Sequence, residues 1–175
     1  STVADGVLTI ATGEPAFPPY VIDDDPANKQ GFEAAVAWAV AGLLGFEDDQ
    51  VEWIRTPFDT VIAPGLKDFD FNVQQFSITP ERAEIVSFSL PYYSAPQAIL
   101  GYADSPAATA SSLDDLRNLR IGVATGTTAV PFVEDVIQPH EGVQIFNDNA
   151  AAKAALDAKQ IDAFIGDLPT ALYIS

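Results

Sequence analysis

The stretch whose reading decides the fold is Phe69-Asp70-Phe71-Asn72-Val73-Gln74-Gln75-Phe76-Ser77-Ile78-Thr79-Pro80-Glu81-Arg82, which continues through Ala83 to Tyr93. Phe71 and Val73 alternate with polar neighbours, the spacing of a strand with one buried face. Thr79-Pro80 is a helix start, with a hydroxyl at the N-cap and a proline at the first helical position. The stretch therefore reads as strand, loop, one helical turn, strand. Arg82 falls in the first turn, where the helix dipole is positive and disfavours a cation. The chain holds only 8 Lys and Arg among its 175 residues. An arginine at such a place, beside exposed backbone N–H groups, is a candidate grip for a carboxylate or phosphate. A local pair with Glu81 or Glu84 explains it as well.

Upstream, residues 7–12 (VLTIAT) read as a strand. Residues 13–20 follow as a loop kept extended by Pro15, Pro18 and Pro19. Its carboxylate Glu14 and its rings Phe17 and Tyr20 make either the edge of a site or a packed aromatic turn. Asp23, Asp24 and Asp25 lack the alternating oxygen ligands, glycine and distant glutamate of a calcium loop, so a solvated loop and no metal site is expected. Residues 31–44 form a helix with Phe32, Val36, Val40, Leu43 and Leu44 near helical spacing, and Gly45 stops it. A second strand spans 51–55, and a short helix spans 60–67 with Pro64 in its first turn or at a kink.

Downstream, the proline-rich run 90–96 breaks regular structure and a strand resumes at 97–102. The boundary between two domains is placed there, 1–96 and 97–175. Residues 103–111 are a loop of small residues, and Ser112-Leu113-Asp114-Asp115 starts a helix in the manner of a capping box. A strand at 119–124 leads into Thr125-Gly126-Thr127-Thr128 and a helix over 129–137. Such a turn is either an anion site of backbone N–H groups or a plain N-cap. It is no P-loop, since the Gly-Lys-Ser/Thr ending is absent. Residues 143–146 read as a strand, 150–159 as an alanine-rich helix and 161–166 as a final strand. Asp167 then caps a new helix. A carboxylate at the C-terminal end of a strand is also where an α/β sheet meets its ligand. The alternation of strands and helices defines an α/β fold.

Composition narrows the chemistry. Hydrophobic residues make up 48% and charged ones 19%, enough apolar content for a real core. No apolar run is long enough to span a membrane. Cysteine is absent, which removes disulfides and thiolate chemistry. The formal charge of −17 argues against nucleic acid and anionic membrane surfaces as partners. His140 is the one histidine and follows Pro139, a poor basis for nucleophilic or metal catalysis.

The run Ser77-Ile78-Thr79-Pro80-Glu81-Arg82, followed by Val86-Ser87-Phe88-Ser89-Leu90-Pro91-Tyr92-Tyr93, resembles the signature of the extracellular solute-binding proteins of family 3. These are the amino-acid-binding receptors of bacterial ABC importers, and the similarity extends over essentially the whole chain. Gly31-Phe32-Glu33 falls where the family often has Gly-Phe-Asp. The resemblance implies a two-lobe fold of the type II periplasmic-binding kind, with strands crossing between lobes near 97. It implies that Arg82 holds the ligand α-carboxylate, that Ser77 adds a hydrogen bond, and that Thr127 and Thr128 grip the carboxylate from lobe two. Gln75 would offer its backbone carbonyl to the ligand ammonium, and Asp167 would bind the same group. Glu14 and the ring of Phe17 would meet the ligand side chain, and a polar or cationic one is expected. No cofactor, catalytic residue or metal is implied; the partners are a free amino acid and the importer's membrane subunits, in the periplasm or at the cell surface. A sensor input domain and a dehydratase of the same fold are the alternatives. Family members continue past the point matching Ser175, so lobe one is expected to lack its C-terminal segment and to self-associate through an uncovered apolar face.

Overall fold

A computed structural model describes residues 2–175. The chain forms two compact units, one ending at Tyr92 and the other Tyr93–Ser175. Residues 93–96, which separate this division from one at 96/97, lie in no helix or strand.

The first unit is built on β1 (Leu8–Gly13), β2 (Val51–Thr56) and β3 (Phe71–Asn72), all parallel, in the order β2-β1-β3. Every residue of β1 is buried, as a central parallel strand requires. Helix α1 (Phe32–Leu43) lays Ala37 and Ala41 on Leu8, Ile10 and Val73. The buried stripe of α1 is Glu33, Ala34, Ala37 and Ala41, not the larger apolar set expected from spacing. Leu43 is 88% exposed, and Phe32 and Leu44 are exposed as well. The two sets are equally helical in period, so periodicity alone does not choose the face. Alanines win because they let the helix backbone approach the sheet closely.

The start of α1 depends on Gly31. Its φ is +100°, and a Cβ there would lie 2.4 Å from the carbonyl oxygen of Tyr20. That carbonyl accepts the N–H groups of Glu33 and Ala34, and the carbonyl of Pro19 accepts that of Phe32. The first donors of the helix are thus satisfied by the preceding loop. That loop is folded rather than extended: Tyr20 N–H returns to the Phe17 carbonyl, and the Glu14–Pro15 and Pro18–Pro19 bonds are cis.

Three further expectations change. Helix α2 (Phe58–Val61) starts earlier than 60, with Pro57 at its N-cap position, and ends before Pro64. Helix α3 (Pro80–Ala83) has the expected cap, with the Thr79 hydroxyl accepting the Arg82 N–H at 3.3 Å. No strand follows it up to residue 96; Pro91 and Pro96 each remove a donor a ladder would need.

The second unit is a four-stranded sheet, β4 (Gln97–Leu100), β5 (Ile121–Ala124), β6 (Val143–Phe146) and β7 (Ala163–Asp167), ordered β4-β7-β5-β6. β5 runs parallel to β6 and β7, and β4 antiparallel to β7. Helices α4 (Leu113–Arg117) and α5 (Ala129–Pro131), the latter continuing as wider π-helical turns over Phe132–Ile137, lie on one face. There Leu116, Leu119, Val133 and Ile137 pack on Ile121, Val123, Ala163 and Ile165. Helix α6 (Asn149–Asp157) covers the other face through Ala152, Ala155 and Leu156 on Phe164. Helix α7 (Leu168–Ile174) follows β7. Among the described residues no helix is long and apolar enough to cross a membrane.

The starts of β5 and β7 are tied by Asp162. Its Oδ2 accepts the N–H and Nε–H of Arg120 at 2.9 and 3.1 Å, and its Oδ1 accepts Nη2–H at 2.7 Å. The Arg120 hydrogen bond holds the Asp162 carboxyl below its ordinary range, against partial burial. The unfolded chain therefore binds this proton more readily than the folded one. The resulting stability is fully present above about pH 4, the unfolded value, and is lost as pH falls through the lower folded value. Asp162→Ala is expected to destabilise the protein by about 1–3 kcal/mol at neutral pH. In urea titrations its difference from wild type should shrink as pH falls below about 4.

Candidate functional site

Parallel pairing gathers the C-terminal ends of β1, β2 and β3 on one edge of the first sheet. The residues that follow those ends are Glu14, Phe58 and Gln75. This is the edge at which open α/β sheets meet ligands.

Arg82 is buried, 8% exposed. Its Nη1 donates to the carbonyl of Ser77 at 2.8 Å. The rings of Phe58 and Phe76 stack with centroids 4.1 Å apart and planes at 27°. The guanidinium carbon lies 5.6 Å from the first ring centre and 5.4 Å from the second. Cation–π attraction to two rings strengthens as water is withdrawn, and it helps set the plane of the guanidinium. Because α3 has only four residues, Arg82 sits in its last turn as well as its first. The helix dipole therefore does not set Arg82 at a disfavoured end, and two rings and a carbonyl help to position it. Ser77 contributes its backbone oxygen, and the residue itself is exposed.

Gln75 follows β3 with φ +54°, a left-handed conformation uncommon for a non-glycine residue. Its N–H donates to Glu33 Oε1 at 2.9 Å, and its side-chain amide donates to Glu33 Oε2. The hydroxyl of Tyr92 donates to the same Glu33 Oε1 at 2.7 Å. Tyr92 shows about half its surface, but its hydroxyl end turns inward. Loss of water there, then the charge of Glu33, pushes the Tyr92 phenol well above its ordinary range. Sequence reasoning gave Glu33 no role. The available signal was a lone carboxylate on the face marked by Ala37 and Ala41. It likewise passed over Phe58, an aromatic directly after the proline that ends β2.

Glu14 is exposed and Phe17 half-buried. Their loop is tied down by its backbone: Arg55 Nε donates to the Gly13 carbonyl at 2.7 Å, and Ala16 N–H to Asp24 Oδ1 at 2.7 Å. Asp24 also pairs with Arg55, and Asp25 accepts the Ala27 N–H. The aspartate run thus serves local structure.

The second unit brings Gln97, Thr128 and Asp167 to one edge of its sheet. Asp167 ends β7 directly opposite Gln97 in the register of β4. Gln97 Nε2 donates to Thr128 Oγ1 at 3.0 Å. Thr128 holds the N-cap position of α5 but makes no capping bond. Asp167 holds that of α7, again with no side-chain capping bond. Capping, the simple explanation for both, is therefore not what their side chains do. The Thr127 hydroxyl donates to the Ala124 carbonyl at 2.8 Å, closing the turn at Gly126, whose φ is +70°. Gln97 was not singled out in the sequence, where a strand's first polar residue carries no mark.

The model of the bacterial extracellular solute-binding proteins, family 3, matches residues 8–168, and the chain belongs to that family. It is 29% identical over 170 residues to a probable amino-acid ABC transporter periplasmic-binding protein of Sinorhizobium fredii, y4tE, covering 96% of this chain and 56% of that one. The chain thus spans little more than half of that relative's length. Among solved structures it resembles an ancestral arginine-binding protein bound to glutamine, at 31% identity and TM-score 0.83, covering 97% of this chain and 73% of the other. It resembles as closely an ancestral amino acid-binding protein that is a precursor of cyclohexadienyl dehydratase, at 32% identity and TM-score 0.83, over 96% of this chain and 73% of that one. The type II binding fold expected from the sequence agrees with these neighbours.

The Tyr92–Glu33 contact has a spectroscopic consequence. At about pH 11, a unit above an ordinary phenol, Tyr92 should still hold its proton. The phenolate absorbance of Tyr92→Phe at that pH should equal that of wild type. Loss of one phenolate in the variant would show an unperturbed Tyr92.

Proposed function

We propose that this family member captures a free amino acid outside the cytoplasm and delivers it to the membrane subunits of an ABC importer. The observation that carries the reading is Arg82: a guanidinium 8% exposed and braced on two stacked rings, at the ligand-binding edge of a parallel sheet. In this reading Arg82 and Ser77 hold the α-carboxylate, and Thr127 and Thr128 of the second unit share it. The ammonium goes to the carbonyl of Gln75 and to Asp167, both acceptors. Glu14 and Phe17 favour a polar or cationic side chain, with arginine and glutamine foremost. The similar proteins, an ancestral arginine-binding one bound to glutamine among them, support that choice. The working lobes are 1–96 and 97–175. The exposed apolar pair Leu43 and Leu44 offers a surface for self-association, which sedimentation would detect.

A second reading has one specific support, the likeness to a dehydratase precursor. In it Glu14 or Asp167 would act as general acid on a prephenate-like substrate. Incubation with prephenate and analysis of the products tests it; no turnover retires it.

Removing one partner of a desolvated charge pair costs about 3–5 kcal/mol. Arg82→Ala should therefore weaken amino-acid binding by about a hundredfold or more. Calorimetry on both proteins, with the ligand identified by mass spectrometry of denatured wild type, measures this. Binding within a few-fold of wild type would place the carboxylate elsewhere.

A further inference from the structure

We propose that Glu33 is a positioning residue of the amino-acid site, aiming the backbone carbonyl of Gln75 without itself touching ligand. The inference rests on the reading above, in which that carbonyl receives the ligand ammonium. Glu33 is 1% exposed. A carboxylate in the interior is costly unless donors fill its lone pairs. Here the Gln75 N–H, the Gln75 amide and the Tyr92 hydroxyl all donate to it. Two of these come from one residue, so Gln75 is gripped by backbone and side chain together.

That grip acts on a residue held at φ +54°, where an L side chain is disfavoured. Clamping the N–H fixes the peptide plane before Gln75, and the left-handed φ sets the turn to its own carbonyl. The left-handed region also confines ψ to about +30 to +60°, so holding Gln75 there through Glu33 confines the direction of its carbonyl. Tyr92 extends the device to the last residue of the first unit, its ring 6.1 Å from that of Phe32 beside Glu33. Three separate segments, the start of α1, the loop after β3 and the end of the unit, converge on one side chain. A carboxylate suits this place because both its oxygens only accept. A glutamine would present a donor to one of the three donors, and the Gln75 amide would have to turn over.

The test titrates wild type, Glu33→Ala and Glu33→Gln with L-arginine and L-glutamine. Each is compared with its analogue lacking the α-amino group, 5-guanidinopentanoate or glutaramate. Glu33→Ala should lose about tenfold or more for the amino acids and under about threefold for the analogues, since only the ammonium misses its acceptor. Arg82→Ala should weaken both kinds of ligand. If Glu33→Ala fails to fold by circular dichroism, Glu33→Gln decides. Its neutral bonds are roughly half as strong; it should bind the amino acids about threefold more weakly, leave the analogues unchanged and exchange its Gln75 amide hydrogen faster. Equal losses for amino acid and analogue would reduce Glu33 to a structural role and overturn the inference. Wild-type affinity in both variants would overturn it while leaving the functional reading intact. Failure of wild type to bind either amino acid would bring down that reading and this inference together.

Discussion

The constraint on which the first unit depends is the parallel pairing of β1 with both its neighbours. β1 meets β2 along its whole length and β3 at Ile10 and Ala11. Parallel strands must be joined by crossovers, so α1 and its loops lie to one side and the strand ends face the same way. That geometry brings Glu14, Phe58 and Gln75 to one edge from widely separated parts of the chain. The pairing is reinforced at the same edge: the Thr12 hydroxyl donates to the Val73 carbonyl at 2.9 Å. The second unit repeats the principle with β5, β6 and β7, and its one antiparallel strand, β4, starts where β7 ends. Gln97 and Asp167 are neighbours for that reason alone.

Two charged side chains of the first unit are buried, and they are handled differently. Arg82 is braced by the π faces of Phe58 and Phe76 and by the carbonyl of Ser77. Glu33 is surrounded by donors that satisfy its oxygens locally. The first arrangement suits a group whose plane must be set. The second suits one that must hold neighbours still. Burial alone does not separate these roles; the chemistry of the partners does.

The strands at β1, β2, β4, β5, β6 and β7 and the Thr79-Pro80 cap were legible in the sequence, whereas the strand expected after α3 is absent. The legible features are local, since propensity and capping are decided within a few residues. The sequence misjudged the face of α1, because alanines and larger residues shared one period and only the packed sheet discriminates between them. It expected an extended loop at 13–20, where the carbonyls of Pro19 and Tyr20 in fact turn in to cap α1. Arg82 was found through its motif, but for a dipole that a four-residue helix cannot supply. The role of Glu33, and Gln97 altogether, could not be read because their meaning lies in contacts with Gln75 and Thr128, 42 and 31 residues away in sequence.

The hydroxyl turn of the second unit shows how such a contact settles a polarity. A threonine hydroxyl has one proton to give and two lone pairs to receive with. At Thr128 Oγ1 a lone pair is taken by Gln97, so the hydroxyl proton is directed away from Gln97. The turn therefore meets its surroundings as a donor, together with the backbone N–H groups that open α5. Asp167, on the same sheet edge, is an acceptor only when ionised. One sheet edge thus sets a hydroxyl whose polarity is fixed by Gln97 beside a carboxylate that ends β7.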